Sequence, residues 1–194
     1  MSLRVATYNV HRSLGSDGHT EPARIVGVVE ELEADILALQ EVEFRTGRPG
    51  DLLERLRDAT SMDVIEGVTL RDERGHYGNA LLSRLPVLEV RRLDLSVPRR
   101  EPRGAIDAEL DAGVPMQVLA THLGLRPFER RRQVRQLLGA VEASDAPVKV
   151  LLGDLNEWFL WGRPVRWLQR VFGDNSAPAT FPAKRPVLAL DRLW

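Results

Sequence analysis

The chain has 194 residues, enough for one domain and too few for two full ones. It contains no cysteine, which excludes disulfides, thiolate metal sites and cysteine nucleophiles. Its 27 basic and 28 acidic side chains leave a net charge of −1, which does not describe a protein held on nucleic acid by bulk charge.

Leu3, Val5 and Thr7 alternate toward Asn9 and predict a strand over 3–9. This start has no basic region followed by an apolar core, so no secretory signal is expected and a cytoplasmic location is. Ile25, Val28, Val29 and Leu32 recur at helical spacing behind Pro22, which suits a first turn. Ile36–Leu39 predicts a short buried strand ending at Gln40-Glu41, and Leu52, Leu56 and Ala59 mark a second helix. Strands follow in series at about 62–68, 78–83, 88–94, 105–111 and 115–121. Arg126-Pro127 opens a third helix with Val134, Leu137, Leu138 and Val141 as its buried stripe; Arg130, Arg131, Arg132 and Arg135 are expected on its outer face. A strand over 148–152 comes next. A helix then runs from Pro164 to a stop at Gly173, with Val165, Leu168 and Phe172 inward, and residues 187–194 predict a last strand. Helices early and late around a central run of strands predict a mixed α+β domain of two packed sheets with helices outside. No stretch approaches the roughly 20 apolar residues that span a bilayer.

Polar residues collect just past the apolar strands: Asn9, then Gln40-Glu41, Thr121-His122 and Gly153-Asp154-Leu155-Asn156. Taken singly, each is an ordinary turn or cap residue. Taken together, Asn9, Glu41, Asp154 and Asn156 supply hard oxygen ligands and amide dipoles, with one histidine and no thiolate. That set suits Mg²⁺ or Mn²⁺ better than zinc. Magnesium keeps several waters and takes one or two carboxylates, so Glu41 alone is enough, and the usual chemistry is displacement at phosphorus.

Six segments occur in order: Thr7-Tyr8-Asn9-Val10, Leu39-Gln40-Glu41-Val42, Tyr77-Gly78-Asn79-Ala80-Leu81-Leu82-Ser83, Thr121-His122-Leu123, Gly153-Asp154-Leu155-Asn156 and Leu190-Asp191-Arg192-Leu193. From residue 3 to 194 the chain resembles the endonuclease/exonuclease/phosphatase superfamily, whose members are similar to pancreatic deoxyribonuclease. The resemblance implies a four-layer α/β sandwich, two mostly antiparallel sheets face to face with helices on both outer sides, and a Mg²⁺-dependent hydrolase of phosphate esters. It implies that Glu41 binds the metal with Asn9 beside it and that His122 contacts the scissile phosphate. It further implies that Asp154 and Asn156 orient the nucleophile and stabilise charge, and that Asp191 orients a histidine. That histidine belongs to a Ser-Asp-His motif past the Asp191 strand in the family, so the single domain over 1–194 is expected to be truncated at its C-terminus, and this chain by itself inactive.

Further candidates lie around this set. Asn79 reads equally as a turn between strands or a residue near the phosphate; His11 is a rim candidate, His76 a weaker one, and His19 is expected in solvent. Trp158, Phe159, Trp161 and Trp167 follow the Gly-Asp-Leu-Asn segment; core packing is the favoured reading, with Trp158 the one expected at the surface. Arg91, Arg92, Arg99, Arg100 and Arg103 form a basic stretch, read as a solvated loop ahead of a phosphate-tracking one. Short connections between the central strands leave little room for DNA-wedging inserts. The expected substrate is therefore a small phosphodiester or phospholipid head group, with DNA or RNA cleavage as the alternative and a non-catalytic binding module as the alternative of another class. A monomer with peripheral membrane contact at most is expected.

Overall fold

The computed structural model describes residues 2–44, 51–72 and 75–194. Strand β1 (Val5–Asn9) runs parallel to β2 (Ile36–Phe44), with helix α1 (Pro22–Leu32) as the crossover between them. After helix α2 (Leu52–Thr60), β3 (Asp63–Asp72) and β4 (Gly75–Ser83) form a hairpin whose second strand pairs antiparallel with β2, giving the order β1-β2-β4-β3. The second sheet is β5 (Val87–Asp94), β6 (Gly104–Asp111), β7 (Pro115–His122), β8 (Val148–Asp154) and β9 (Asp191–Leu193), in that spatial order. Its pairs are antiparallel except β7 with β8, which are joined through helix α3 (Pro127–Glu142). Helix α4 (Arg163–Phe172) starts at a Gly-Arg-Pro step and stops at Gly173, whose φ is +89°.

Alternation along the strands separates three apolar layers. Ile36, Ala38 and Leu81 of the first sheet meet Ile106, Ala108, Val118 and Leu152 of the second, filling the space between sheets. Leu37, Leu39 and Leu82 point the other way, onto Ile25, Val29, Leu53 and Leu56 of α1 and α2. Leu119 and Leu151 pack under Val134, Leu137, Val141 and Leu168 of α3 and α4. The architecture is thus the four-layer α+β sandwich.

Several expectations are corrected. The first strand begins at Val5, because Arg4 turns its backbone and side chain to Asp35, Leu32 and Glu33. The last strand covers only 191–193; residues 187–188 fold back instead, with Val187 and Leu188 bonding to Phe181. The outer-face reading of α3 fails for Arg130, which is buried. The central connections are not all short: 84–86 and 112–114 are, but 95–103 is a longer loop. Nor is the basic stretch one solvated loop. Arg91 pairs with the buried Asp107 at 3.1 Å, Arg92 donates to the Glu66 carbonyl at 2.8 Å, and Arg103 is buried. No helix among the described residues is long and apolar enough to cross a membrane.

Candidate active site

Two sheets packed face to face bring β1, β2, β7, β8 and β9 to one rim, and each delivers one polar residue there. Glu41 lies where the β2–β4 register shifts between Leu39 and Val42, and its φ is +59°. This bulge takes Glu41 out of the buried alternation that holds Gln40 against Thr7. Asn9 closes β1 and donates through Nδ2 to Glu41 Oε1 at 3.0 Å and to Asp154 Oδ2 at 3.1 Å. One amide thus ties a carboxylate of the first sheet to a carboxylate of the second, while its own Oδ1 accepts from the His11 backbone at 3.0 Å.

On the second sheet, His122 and Asp154 are register partners at the ends of β7 and β8. Their close approach depends on Gly153, where φ is +139° and a Cβ would run into the Thr121 carbonyl. Asp154 Oδ1 accepts from the Asn156 backbone at 2.8 Å, an Asx-type turn that sets Asn156 at φ +49°. Asn156 Nδ2 then reaches the Leu123 carbonyl at 2.9 Å and His122 Nε2 at 3.0 Å.

His122 has a second polar neighbour on its other side. Arg103 Nη1 lies 3.1 Å from His122 Nδ1, and a guanidinium can only donate. Asn156 Nδ2 faces Nε2 in the same way, so donors flank both ring nitrogens, and the neutral ring accepts from one of them at a time. Burial and the Arg103 charge push the His122 pKa down to about 3, so the ring stays neutral. His122 Nε2 also lies 3.8 Å from Asp154 Oδ2, so the ring, the Asn156 amide and the Asp154 carboxylate stand side by side. Burial, with Asp191 next in effect, raises the Asp154 pKa to about 6, although Asn9 and Asn156 pull it down.

A model of the endonuclease/exonuclease/phosphatase family matches residues 6–194. The chain belongs to that family. It is 30% identical over 213 residues to YbhP of Escherichia coli strain K12, an uncharacterized protein; the match covers all of this chain and 84% of YbhP. A crystal structure of an endonuclease/exonuclease/phosphatase protein from Beutenbergia cavernae is 28% identical with a TM-score of 0.63; it matches 80% of this chain, which spans about half (48%) of that one. The catalytic domain of human nocturnin, at 18% identity, shares the fold with a TM-score of 0.75 over 99% of this chain and 80% of that one. Phosphoester hydrolysis is the common chemistry of the family.

Other predicted residues lie around the cluster. His11 is exposed at the rim, its Nδ1 3.5 Å from Glu41 Oε2. Asp191 stands opposite Asp154 in the β8–β9 register; burial raises its pKa, and its Oδ1 is buried with no hydrogen-bond partner. Arg192, one candidate partner for it, does not pair with it: its own Nε and Nη2 are also without partners. Asn79 is not in a turn. It lies inside β4, buried, and donates to the Gly104 carbonyl at 3.2 Å, which Thr121 also bonds, so it links the two sheets behind His122. His76 is the second residue of β4, opposite Phe44, and no hydrogen bond or ion pair joins it to the cluster among the described residues. His19 is exposed. Trp158 is at the surface as expected, 57% exposed, and Trp167 is half-buried under Arg135; the core reading fails for Phe159 and Trp161, 55% and 70% exposed on a turn closed by Gly162.

Two residues named in the sequence only as parts of longer segments also contribute. Arg103 contacts His122 Nδ1 at 3.1 Å, and its charge helps hold the ring neutral. Tyr77 lies close enough to Glu41 for that charge to add to burial in pushing its pKa up to about 12, and Arg12 stacks over its ring at 4.5 Å.

The two shifts at the centre oppose one another in stability. His122 titrates near 6.5 when unfolded and near 3 when folded, so its contribution is full above 6.5 and is lost as pH falls. Asp154 titrates near 3.8 unfolded and near 6 folded, so its contribution is full below 3.8 and is lost as pH rises. Between pH ~4 and ~6 each group has a slope of about 1.4 kcal/mol per pH unit, with opposite sign. In urea titrations of the metal-free protein, Asp154→Asn is expected to lose stability toward acid across this window. His122→Asn is expected to gain it, and parallel pH profiles for the two would contradict the assignment.

Proposed function

We propose that this family member is a divalent-metal-dependent phosphodiesterase acting on small phosphodiesters or phospholipid head groups. The observation that carries this reading is the Asn9 amide bridging Glu41 and Asp154 beside His122 and Asn156. A half-buried carboxylate next to an imidazole and a side-chain amide suits a cation and a phosphate side by side. Among the described residues no three His, Asp or Glu converge on one point. The donor set therefore fits Mg²⁺ or Mn²⁺, which keep their waters, rather than zinc. Glu41 would hold the ion, with Asn9 orienting the carboxylate through its amide; the ion would supply Lewis-acid polarisation of a phosphoryl oxygen.

The chain's own groups do the rest. Asp154, ionised above its pKa of about 6, accepts the proton of a water as its oxygen attacks phosphorus and the bond to the leaving oxygen breaks. A phosphoryl oxygen entering between His122 and Asn156 would replace their mutual contact; the Asn156 amide and Nε2–H, with Nδ1 then accepting from Arg103, would donate to it as it gains charge. Asp191, opposite Asp154, keeps Asp154 basic.

The test is calorimetric titration of Mg²⁺ into the protein and into Glu41→Gln, which keeps the volume and removes the charge. A weakening of about tenfold or more is expected for loss of the one ligating carboxylate. Equal affinities would sink the assignment.

The exposed Trp158–Trp161 turn supports the head-group reading, since aromatic rings favour the membrane–water interface. Cleavage of a p-nitrophenyl phosphodiester presented on phosphatidylcholine vesicles is expected to fall when Trp158 and Trp161 are both changed to Ser. Duplex DNA should be cut poorly at ~0.15 M salt, where charge attraction is screened. Robust DNA cleavage that survives the Ser changes would reverse the preference.

A further inference from the structure

A cavity of about 380 Å³ opens beside His122, between the loop over 95–103 and the start of α3. Its wall carries Arg99, Arg100, Arg103 and Arg126 against Glu101 and Glu129, a surplus of two positive charges in one cleft of a chain whose net charge is −1. The arginines are not equivalent. Arg103 is held between Glu101 at 3.1 Å and His122. Arg100 is held by Glu129 at 3.1 Å and lies over the Phe128 ring. Arg99 and Arg126 form no ion pair among the described residues. Two guanidiniums are thus fixed by carboxylates, and two have their full donor forks available. Glu129 is buried, and its Oε2 accepts from the Arg126 backbone at 3.0 Å, so the wall that carries Arg126 is set by the fold. The cavity and the catalytic rim share one residue: Arg103 lines the first and bonds the histidine of the second.

We propose that this cleft is a second anion subsite, taking a phosphate group next to the one that is cleaved. The claim rests on the phosphodiesterase reading only for what it says of substrates; the binding of phosphate does not depend on it. Planar guanidiniums match phosphate oxygens in paired hydrogen bonds. The volume admits a phosphate and part of the group that bears it. A substrate with two phosphates would place the scissile one against His122 and Asn156 and the other against Arg99 and Arg126.

The experiment has two arms. In the first, inorganic phosphate is titrated calorimetrically into the protein in the presence of a chelator, with Arg99→Gln/Arg126→Gln and Glu41→Gln as variants and a thermal melt to confirm folding. Phosphate binding is expected to weaken about tenfold or more in the double arginine variant and to persist in Glu41→Gln. Binding unaffected by the arginine changes overturns the subsite, as does the absence of binding to the unmodified protein. In the second arm, the p-nitrophenyl phosphodiester of thymidine is compared with the same compound carrying a second phosphate on the other sugar hydroxyl. A KM about tenfold lower for the second compound, with the advantage lost in the double variant, assigns the subsite to substrate. No advantage, with phosphate binding intact, assigns it to free phosphate. If neither compound is hydrolysed with Mg²⁺ while phosphate still binds through Arg99 and Arg126, the phosphodiesterase reading fails and the subsite stands.

Discussion

Asp154→Asn and His122→Asn are each expected to lower turnover of bis-p-nitrophenyl phosphate by about 10²-fold or more, the scale of a positioned base or charge-stabilising donor. The substitutions are chosen from the contacts. Asp154→Asn keeps an oxygen for the Asn156 backbone and loses the proton acceptor. His122→Asn can keep an acceptor for Arg103 Nη1 while losing the ring, whereas His122→Ala would leave that buried nitrogen without its acceptor and confuse rate with stability. Steady-state rates with Mg²⁺ and melting curves together decide the matter. Activity retained in either variant, with the fold intact, would reduce that residue to a turn former.

The largest stability effect is expected away from the chemistry. Arg130 and Glu157 are buried and paired through two contacts, Nε to Oε2 at 3.1 Å and Nη2 to Oε1 at 3.4 Å. Arg130 also donates to the Leu125 carbonyl at 2.6 Å. Glu157 follows Asn156, so the pair pins the loop that carries Asn156 to the first turns of α3. Removing one partner strands a buried charge, and Glu157→Ala or Arg130→Ala is expected to cost about 3–5 kcal/mol. For a domain of this size that is a fall of roughly 6–20 °C in Tm. Replacing both at once, Arg130→Met with Glu157→Leu, is expected to recover much of the loss, because the unpaired charge goes with them. A double variant as unstable as the singles would show that the hydrogen bonds to Leu125 and Phe159, not the charge, matter most.

Much of this site is legible in the sequence because its residues end apolar strands. Asn9, His122 and Asp154 each follow an apolar stretch at the end of a strand, Glu41 follows one at the β2 bulge, and two faced sheets bring these positions to one rim. What stays hidden has no such mark. Arg103 lies in a run of arginines, and nothing in its neighbours says that it turns inward while Arg99 and Arg100 do not. Arg130 had a usable signal: with Val134, Leu137 and Val141 it completes a helical stripe, yet its charge argues for the outer face and the Glu157 partner lies 27 residues away. The Trp158–Trp161 turn follows the same difficulty in reverse, since apolar composition does not say which side of a loop is wet. The strand over 187–194 was overdrawn because alternation in 187–190 serves the bridge to Phe181 instead of the sheet.

Glu41 and Asn156 hold left-handed backbone conformations, at φ of +59° and +49°. Each such conformation costs a non-glycine residue on the order of 1 kcal/mol, and asparagine bears it more easily than glutamate. A library screened for heat resistance alone would therefore drift toward glycine at position 41, and its most durable members would be those that had discarded the carboxylate. Thermal selection on this scaffold has to be run with a catalytic readout beside it.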